Sequence, residues 1–201
     1  MPVNKKKATR GRPRTITHEK IVNAGIKIGL LNITFVGVAA ELGISHMALY
    51  KHVASVEKLK YMIAEEIFIK WELPNPLTKP ECSLQHYLIA FMHSMRELVK
   101  LNPGITPYVI RRMASTKSMV DKINNHHQLL SQAFNLSLDQ ARYLNATVAF
   151  HCIAVADTVY SVFAEVPIDG TNQTLEEAEM EVEFIQSMHA LIQGTLLLMP
   201  K

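Results

Sequence analysis

Cysteine is scarce in this 201-residue chain: Cys82 and Cys152 are the only two. That is too few for a disulfide scaffold, and neither sits in a metal-ligand spacing, so a reducing compartment is expected and a metal site is not. No apolar run reaches the roughly 18 residues that a membrane-spanning helix needs. The basic N-terminus is not followed by an apolar signal core either, so the expected setting is cytoplasmic. Catalytic signatures are missing too: the sequence has no HExxH, no GxSxG, no P-loop, no dinucleotide fingerprint and no CxxC. Cys152 directly follows His151, but adjacent helix residues diverge by about 100° and form no dyad. Asp139, Asp157, Glu165 and Asp169 have no grouping that suggests paired acid–base work. These absences argue against an enzyme, a cofactor carrier and a membrane-spanning protein.

What is present is an ordinary globular composition, 48% hydrophobic and 19% charged, long enough to bury a core without staples. The net charge of +3 is unevenly distributed. The first 70 residues hold twelve Lys and Arg against five Asp and Glu; the remaining 131 hold nine against thirteen. Six of those positive charges (Lys5, Lys6, Lys7, Arg10, Arg12 and Arg14) precede residue 15. A basic arm at one end of a chain attracts polyanions, nucleic acid first and acidic membrane surface second.

Helical periodicity runs through almost the whole sequence, with no competing strand pattern. Thr17 is expected to cap a first helix with apolar positions at Ile21, Gly25, Ile28 and Leu31. A short second helix runs from about Thr34 to Leu42, and Gly43 and Ile44 make a tight turn. Ser45 caps a third helix to about His52, and Ser55 a fourth that buries Leu59, Met62, Ile63 and Ile67. Residues 72–82 contain three prolines in seven positions and read as a linker. Five further helices are expected: about Ser83 to Lys100, one starting at Pro103, about Thr116 to Phe134, and two long ones opened by capping boxes at Ser137-Leu138-Asp139-Gln140 and Thr174-Leu175-Glu176-Glu177. The total is about nine helices in an all-α fold.

Within that pattern, Thr34–Val53 (TFVGVAAELGISHMALYKHV) has the grammar of a helix-turn-helix. Small Ala39 and Ala40 let two helices cross closely, and Gly43 can take a positive φ at the turn. Ile44, Leu49 and Val53 can pack inward, which leaves His46, Met47, Ala48, Tyr50, Lys51 and His52 largely outward, near the helical turns that enter a major groove. The run from Ile21 to Leu59 resembles the N-terminal domain of the TetR family of bacterial transcriptional regulators. The resemblance is carried by Ala39, Leu42-Gly43-Ile44-Ser45, Ala48-Leu49-Tyr50 and Ser55-Val56-Glu57-Lys58-Leu59. Two features depart from the family's pattern. The link between the first two helices is a few residues short, and Val53-Ala54 replaces an aromatic-Pro stretch.

The resemblance implies a basic arm over 1–14, a DNA-binding domain over 15–70 and a helical effector-binding and dimerisation domain over 71–201. It implies a homodimer that sets two recognition helices on a palindromic double-stranded operator, about one helical turn apart. It also implies a small-molecule effector that releases the DNA. On chemistry and family pattern, Thr34, Tyr50, Lys51 and Lys58 go to phosphates. His46, Met47 and Ala48 are the candidates for base edges, Met47 and Ala48 by contact with thymine methyls, and Ser45 and His52 are expected to join them on the DNA. Arg10, Arg12 and Arg14 enter a minor groove or track phosphates.

Beyond residue 70 the signals are less specific. Met92, Met95 and Met113, with Phe91, Tyr108, Trp71, His127 and His151, suit an adaptable apolar pocket, and core packing is the alternative for each. Two near-heptad stripes, Leu144, Val148, Val155 and Val159 with His151, and Val182, Ile185, His189, Ile192 and Leu196, suggest helices buried on more than one side and hence a partner subunit. Two other functions use the same composition: a membrane-surface module acting through its basic arm, and a small-molecule carrier without sequence-specific DNA binding. Neither needs the exposed face of the helix-turn-helix segment.

Overall fold

The computed structural model describes residues 16–78, 82–110, 116–163 and 173–200. Among them are nine α-helices, two short 3₁₀ turns and no strand. No helix among them is long and apolar enough to cross a membrane.

The N-terminal helices begin where local side-chain chemistry places them. Thr17 Oγ1 accepts the amide of Lys20 at 3.3 Å and opens α1 (His18–Ile28). Thr34 Oγ1 accepts that of Gly37 at 2.9 Å and opens α2 (Phe35–Leu42). Ser45 and Ser55 do the same for α3 (His46–Tyr50) and α4 (Val56–Lys70). Each cap satisfies one amide that the first turn leaves unpaired. Gly43 stands at φ +66°. Its amide bonds the Ala40 carbonyl while that of Ile44 bonds Ala39, both at 3.0 Å. This Schellman closure needs a left-handed residue, and glycine supplies it without a Cβ clash.

Two expectations here are corrected. α1 stops at Ile28, and the following 3₁₀ turn (Leu30–Asn32) puts Leu30 inside and leaves Leu31 59% exposed. α3 ends at Tyr50 rather than His52. The Leu49 carbonyl there accepts both His52 and Val53 amides, so the chain turns back to bury Val53 and free Ser55 to cap α4.

α5 (Leu84–Leu101) and α8 (Leu138–Phe163) form the centre of the larger bundle and make its most extensive helix pair. α7 (Lys117–Phe134) and α9 (Gln173–Leu197) pack on α8 from either side. The capping box before α8 forms in full: the Ser137 amide donates to Gln140 Oε1 at 2.9 Å and the Gln140 amide to Ser137 Oγ at 3.1 Å. α9 starts at Gln173, one residue ahead of its expected cap Thr174.

No helix starts at Pro103. Gly104 takes φ +86°, outside the helical region, so α6 (Thr106–Val109) is a single turn with a proline in it. A Cβ at residue 104 would lie 2.7 Å from Leu31 Cδ2, so this turn also packs against the N-terminal helices.

One continuous apolar core joins all of this, running from Ile21 and Leu49 through Phe68 and Phe91 to Ile192. α4 belongs to both ends of it, packing on α1 on one side and on α6 and α7 on the other. That core also changes the reading of the two apolar stripes. Leu144, Val148, Val159 and Ile192 are buried within the chain and face no outside surface. Val155 and Val182 are exposed, and Ile185, His189 and Leu196 are half-buried. Periodicity locates an apolar face but not what covers it; here α5 and the pairing of α8 with α9 cover most of it.

Candidate functional site

Two regions have the makings of a site. The first is the outer face of α2 and α3. His46, Met47, Tyr50, Lys51, His52 and Lys58 are exposed, Ala48 is half-buried, and Leu49 beneath them is fully buried and anchors the helix. Met47 is 62% exposed and Val36, on the neighbouring helix, 68%. Large apolar side chains held out in water beside lysine and histidine suit a surface that meets both methyl groups and phosphates. The ring of Tyr50 stacks on Phe35, with centroids 4.0 Å apart and planes 11° from parallel. That stack fixes where the phenol points, and nothing in the spacing of residues 35 and 50 announces it. Thr34 and Ser45 are exposed and use their hydroxyl oxygens as caps, which leaves each O–H free to donate outward. Arg10, Arg12 and Arg14 lie outside the described residues.

The second region is a cavity of about 820 Å³ inside the bundle, in the range that holds drug-sized ligands. α4 contributes Phe68 to its wall, α5 Phe91 and Met95, and the α6 turn Val109 and Ile110. α7 adds Met119, Val120, Ile123, Asn124 and His127. The remaining wall is a stripe of α8 through Arg142, Asn145, Ala149 and Ile153, with Ala146 and Phe150 beside it. Of the pocket residues expected from sequence, Phe91, Met95 and His127 line this cavity. Four others lie elsewhere, and Met113 is outside the described residues.

Those four have clear alternative roles. Met92 is wholly buried in the core, and its carbonyl accepts Cys152 Sγ at 3.4 Å. His151 is on the exposed side of α8, its Nδ1 2.8 Å from the Thr147 carbonyl. Tyr108 packs edge-on against Tyr61 and reaches Glu57 at 3.5 Å, which ties α6 to α4. Trp71 donates from Nε1 to Ser94 Oγ at 2.9 Å and borders a shallower groove of about 410 Å³ between α1, the end of α4 and α5.

Sequence reasoning did not reach the polar wall residues Arg142, Asn145 and Asn124. A signal exists: Asn145 interrupts an apolar run of a long helix, and Arg142, Asn145, Ala149 and Ile153 recur at helical spacing on one face. Asn145 is 3% exposed and His127 9%, and neither Asn145 Oδ1 nor His127 Nδ1 has a hydrogen-bond partner among the described residues. Behind them, the Tyr87 hydroxyl is hydrogen-bonded to His126 Nε2. Burial pushes both His126 and His127 down to about 4, with the neighbouring His127 and Lys122 acting on the first and Arg142 on the second. Both imidazoles are therefore neutral at pH 7. Cys152, pushed up to about 12 by burial, is an inert thiol.

Between the two regions lies a tie. Lys122 of α7 donates to the carbonyls of Phe68 at 2.9 Å, Ile69 at 2.7 Å and Trp71, closing the C-terminal end of α4. Its ammonium also sits 5.7 Å from the Phe68 ring centre and 5.9 Å from that of Trp71. Thr116, the cap of α7, donates to Glu65 Oε1 at 2.7 Å. Thus the helix that lines the cavity also holds α4, which packs on α1, the helix behind the N-terminal face.

No family model matches the chain, and no curated protein matches it. Solved structures do. One is a Streptomyces coelicolor A3(2) protein described as a transcriptional regulator, with 17% identity and a TM-score of 0.64 over 93% of this chain and 100% of that one. Another is ActR, a TetR family protein of Streptomyces coelicolor solved in complex with actinorhodin, with 17% identity, a TM-score of 0.65 and the same coverage. This chain has the fold of those proteins, a small N-terminal helical unit joined to a larger helical body.

Proposed function

We propose that this protein is a ligand-responsive transcriptional repressor that binds a palindromic DNA operator as a homodimer and is released by a small molecule entering the cavity. The observation that carries the reading is α4: it packs on α1, the helix on which α2 and the exposed α2–α3 face rest, and its C-terminal end supplies Phe68 to the cavity and is held by Lys122. The bundle likeness supports the same reading, since one neighbour of this fold was solved holding actinorhodin. In this reading residues 15–70 read the DNA, the arm over 1–14 adds phosphate or minor-groove contacts, and residues 71–201 bind the effector and dimerise. The site of action is the bacterial cytoplasm, on the nucleoid.

On DNA, Thr34, Ser45, Tyr50, Lys51 and Lys58 fix the register through phosphates, while His46, Met47, Ala48 and His52 meet base edges. A five-residue helix offers few base contacts, so two copies on one duplex are needed for specificity. An effector acts only through different affinity for the DNA-competent and incompetent arrangements, a coupling of about 1–3 kcal/mol in typical cases. Here that difference arises when a ligand displaces α7 and the α6 turn. Both are tied to α4, through Lys122, Thr116 and Tyr108.

Selection of bound sequences from a random duplex pool at ~150 mM salt tests the reading, because non-specific electrostatic attachment is weakened there. The expected result is one enriched palindromic motif. Binding without enrichment, fading as salt rises, would reduce the protein to a basic helical bundle and favour a carrier role.

A further inference from the structure

The cavity is polar at one end only. Its apolar walls come from α4, α5, the α6 turn, Met119, Val120 and Ile123 of α7 and Ala146, Ala149, Phe150 and Ile153 of α8, whereas the polar groups are Asn124 and His127 in the middle of α7 and Arg142 and Asn145 in the first half of α8. These two helices run antiparallel through a short turn at 135–137, so their polar residues meet at the same end. Among the described residues, no Asp or Glu lines the cavity and Arg142 is the one charged residue in its wall. Arg142 is exposed at the rim, with only a loose 3.6 Å pairing to Asp139, which is itself in open solvent. One turn further along α8, Asn145 in the cavity wall is buried, and its Oδ1 has no hydrogen-bond partner among the described residues. An amide oxygen accepts and cannot donate, so it calls for an O–H or N–H from whatever fills the cavity. On the facing helix, His127 adds a second unpartnered polar atom, ring nitrogen Nδ1 of a neutral imidazole.

Resting on the reading of the cavity as a ligand site, we propose that its ligand is a hydroxylated apolar carboxylate: a hydrocarbon or aromatic body against Phe68, Phe91 and Met119, a hydroxyl donating to Asn145 Oδ1 beside His127, and a carboxylate at the rim facing Arg142. A cationic amphiphile is the wrong ligand. It would bring its charge to Arg142, with no carboxylate among the described wall residues to receive it. A purely apolar ligand would fill the volume but leave Asn145 Oδ1 buried and unpaired, the situation that sites built around a polar group discriminate against most strongly. The placement also explains why a ligand would be felt in α4: with its polar end held by α7 and α8, the body is driven toward Phe68.

The test is calorimetric titration of the full chain with four probes of equal ring size: 3-hydroxy-2-naphthoate, 2-naphthoate, 2-naphthol and 2-naphthylmethylammonium. The expected order has the hydroxy acid tightest. Loss of the hydroxyl should weaken binding about tenfold. Loss of the carboxylate should weaken it about threefold, since Arg142 is half in water, and the ammonium should bind weakest. Asn145→Leu should erase the advantage of the hydroxyl, and Arg142→Gln that of the carboxylate while naphthol binding persists. Four equal affinities, a preference for the ammonium, or no binding by any probe would each overturn the proposal. The wild-type series is sufficient by itself, so the test stands even if Asn145→Leu folds poorly. Failure here is separable from failure of the regulator reading. An enriched operator with no preference among the probes removes only the ligand class, whereas the expected preference without an operator removes the regulator and leaves the cavity's chemistry standing.

Discussion

His126 and His127 are adjacent on α7, both buried, and both held neutral by that burial, with folded pKa values of about 4 against 6.5 when exposed. In the unfolded chain they take up protons as the pH falls through 6.5; in the folded chain they resist until about pH 4. The unfolded state therefore binds more protons in that window. Stability is full above pH 6.5 and is lost as the pH falls toward 4, at about 1.4 kcal/mol per pH unit for each histidine. His93, lowered chiefly by desolvation with Arg96 and His189 acting in the same direction, adds to the slope. Urea unfolding at steps between pH 7.5 and 4.5 should show the decline. His127→Gln should flatten it by about one histidine's share, and a pH-independent unfolding midpoint would show that these imidazoles are not held neutral. Sequence alone singles out His127 for its chemistry, but its neutrality follows from burial between α7 and α8, a long-range property that local spacing does not encode. Asn145 escapes sequence reasoning for a related reason: an asparagine in a helix reads as a surface residue until the face it occupies is known.

At the scale of the element, what is legible is local. Thr17, Thr34, Ser45, Ser55, Ser83, Thr116 and Ser137 all read as the starts of helices, and each cap forms between residues three apart in sequence. The start expected at Pro103 fails because Gly104 takes a backbone conformation that ends the helical path, and the packing of that turn against Leu31 involves residues over seventy positions away. The tie between α7 and α4 is equally invisible, since a lone Lys122 in an amphipathic helix looks like any solvated cation. In the fold it closes three carbonyls at the end of α4, where a positive charge is also favoured by the helix dipole. Burial lowers its pKa, so part of its favourable contact offsets desolvation. Lys122→Met keeps the aliphatic stem and removes the donors. We expect a loss of about 1–3 kcal/mol in stability, the range for leaving charge-assisted partners unmade. A second effect is specific to the tie: ligand should bind the cavity nearly as before yet shift operator affinity far less. Parallel calorimetry and DNA-binding anisotropy separate the two. Equal coupling in wild type and variant would place the communication in Phe68 and the α6 turn instead.

The whole molecule has a polarity that its composition announces and its fold organises. Positive charge is concentrated in the first 70 residues, the part that carries the α2–α3 face, and the remainder is net negative. The distal body surface is different in character. Val155 and Val182 stand 38% and 54% exposed on α8 and α9, and Ala154, Thr158 and Ala190 on the same two helices are exposed as well, apolar and small side chains on which helices of two subunits can pack. A two-fold pairing there would set both α3 helices on one duplex. It would also convert two weak contacts into one linked event, with gains of about 10²–10⁴ typical of such linkage. Glutamates at both positions should prevent it: across a two-fold axis each new charge meets its own copy and the acidic run of α9 at Glu176, Glu177, Glu179 and Glu183. For Val155→Glu with Val182→Glu, light scattering should give a monomer of about half the wild-type mass at the same concentration. Thermal melting should fall only by what the lost subunit contact contributed, because neither side chain belongs to the core of the single chain. Operator affinity should fall at least about a hundredfold while weak, salt-sensitive attachment to random duplex persists. A variant that remains dimeric would place the subunit contact on another face. A monomer that keeps full operator affinity would mean that a single five-residue helix and its arm suffice for recognition, and the two-fold argument for a palindrome would fall with it.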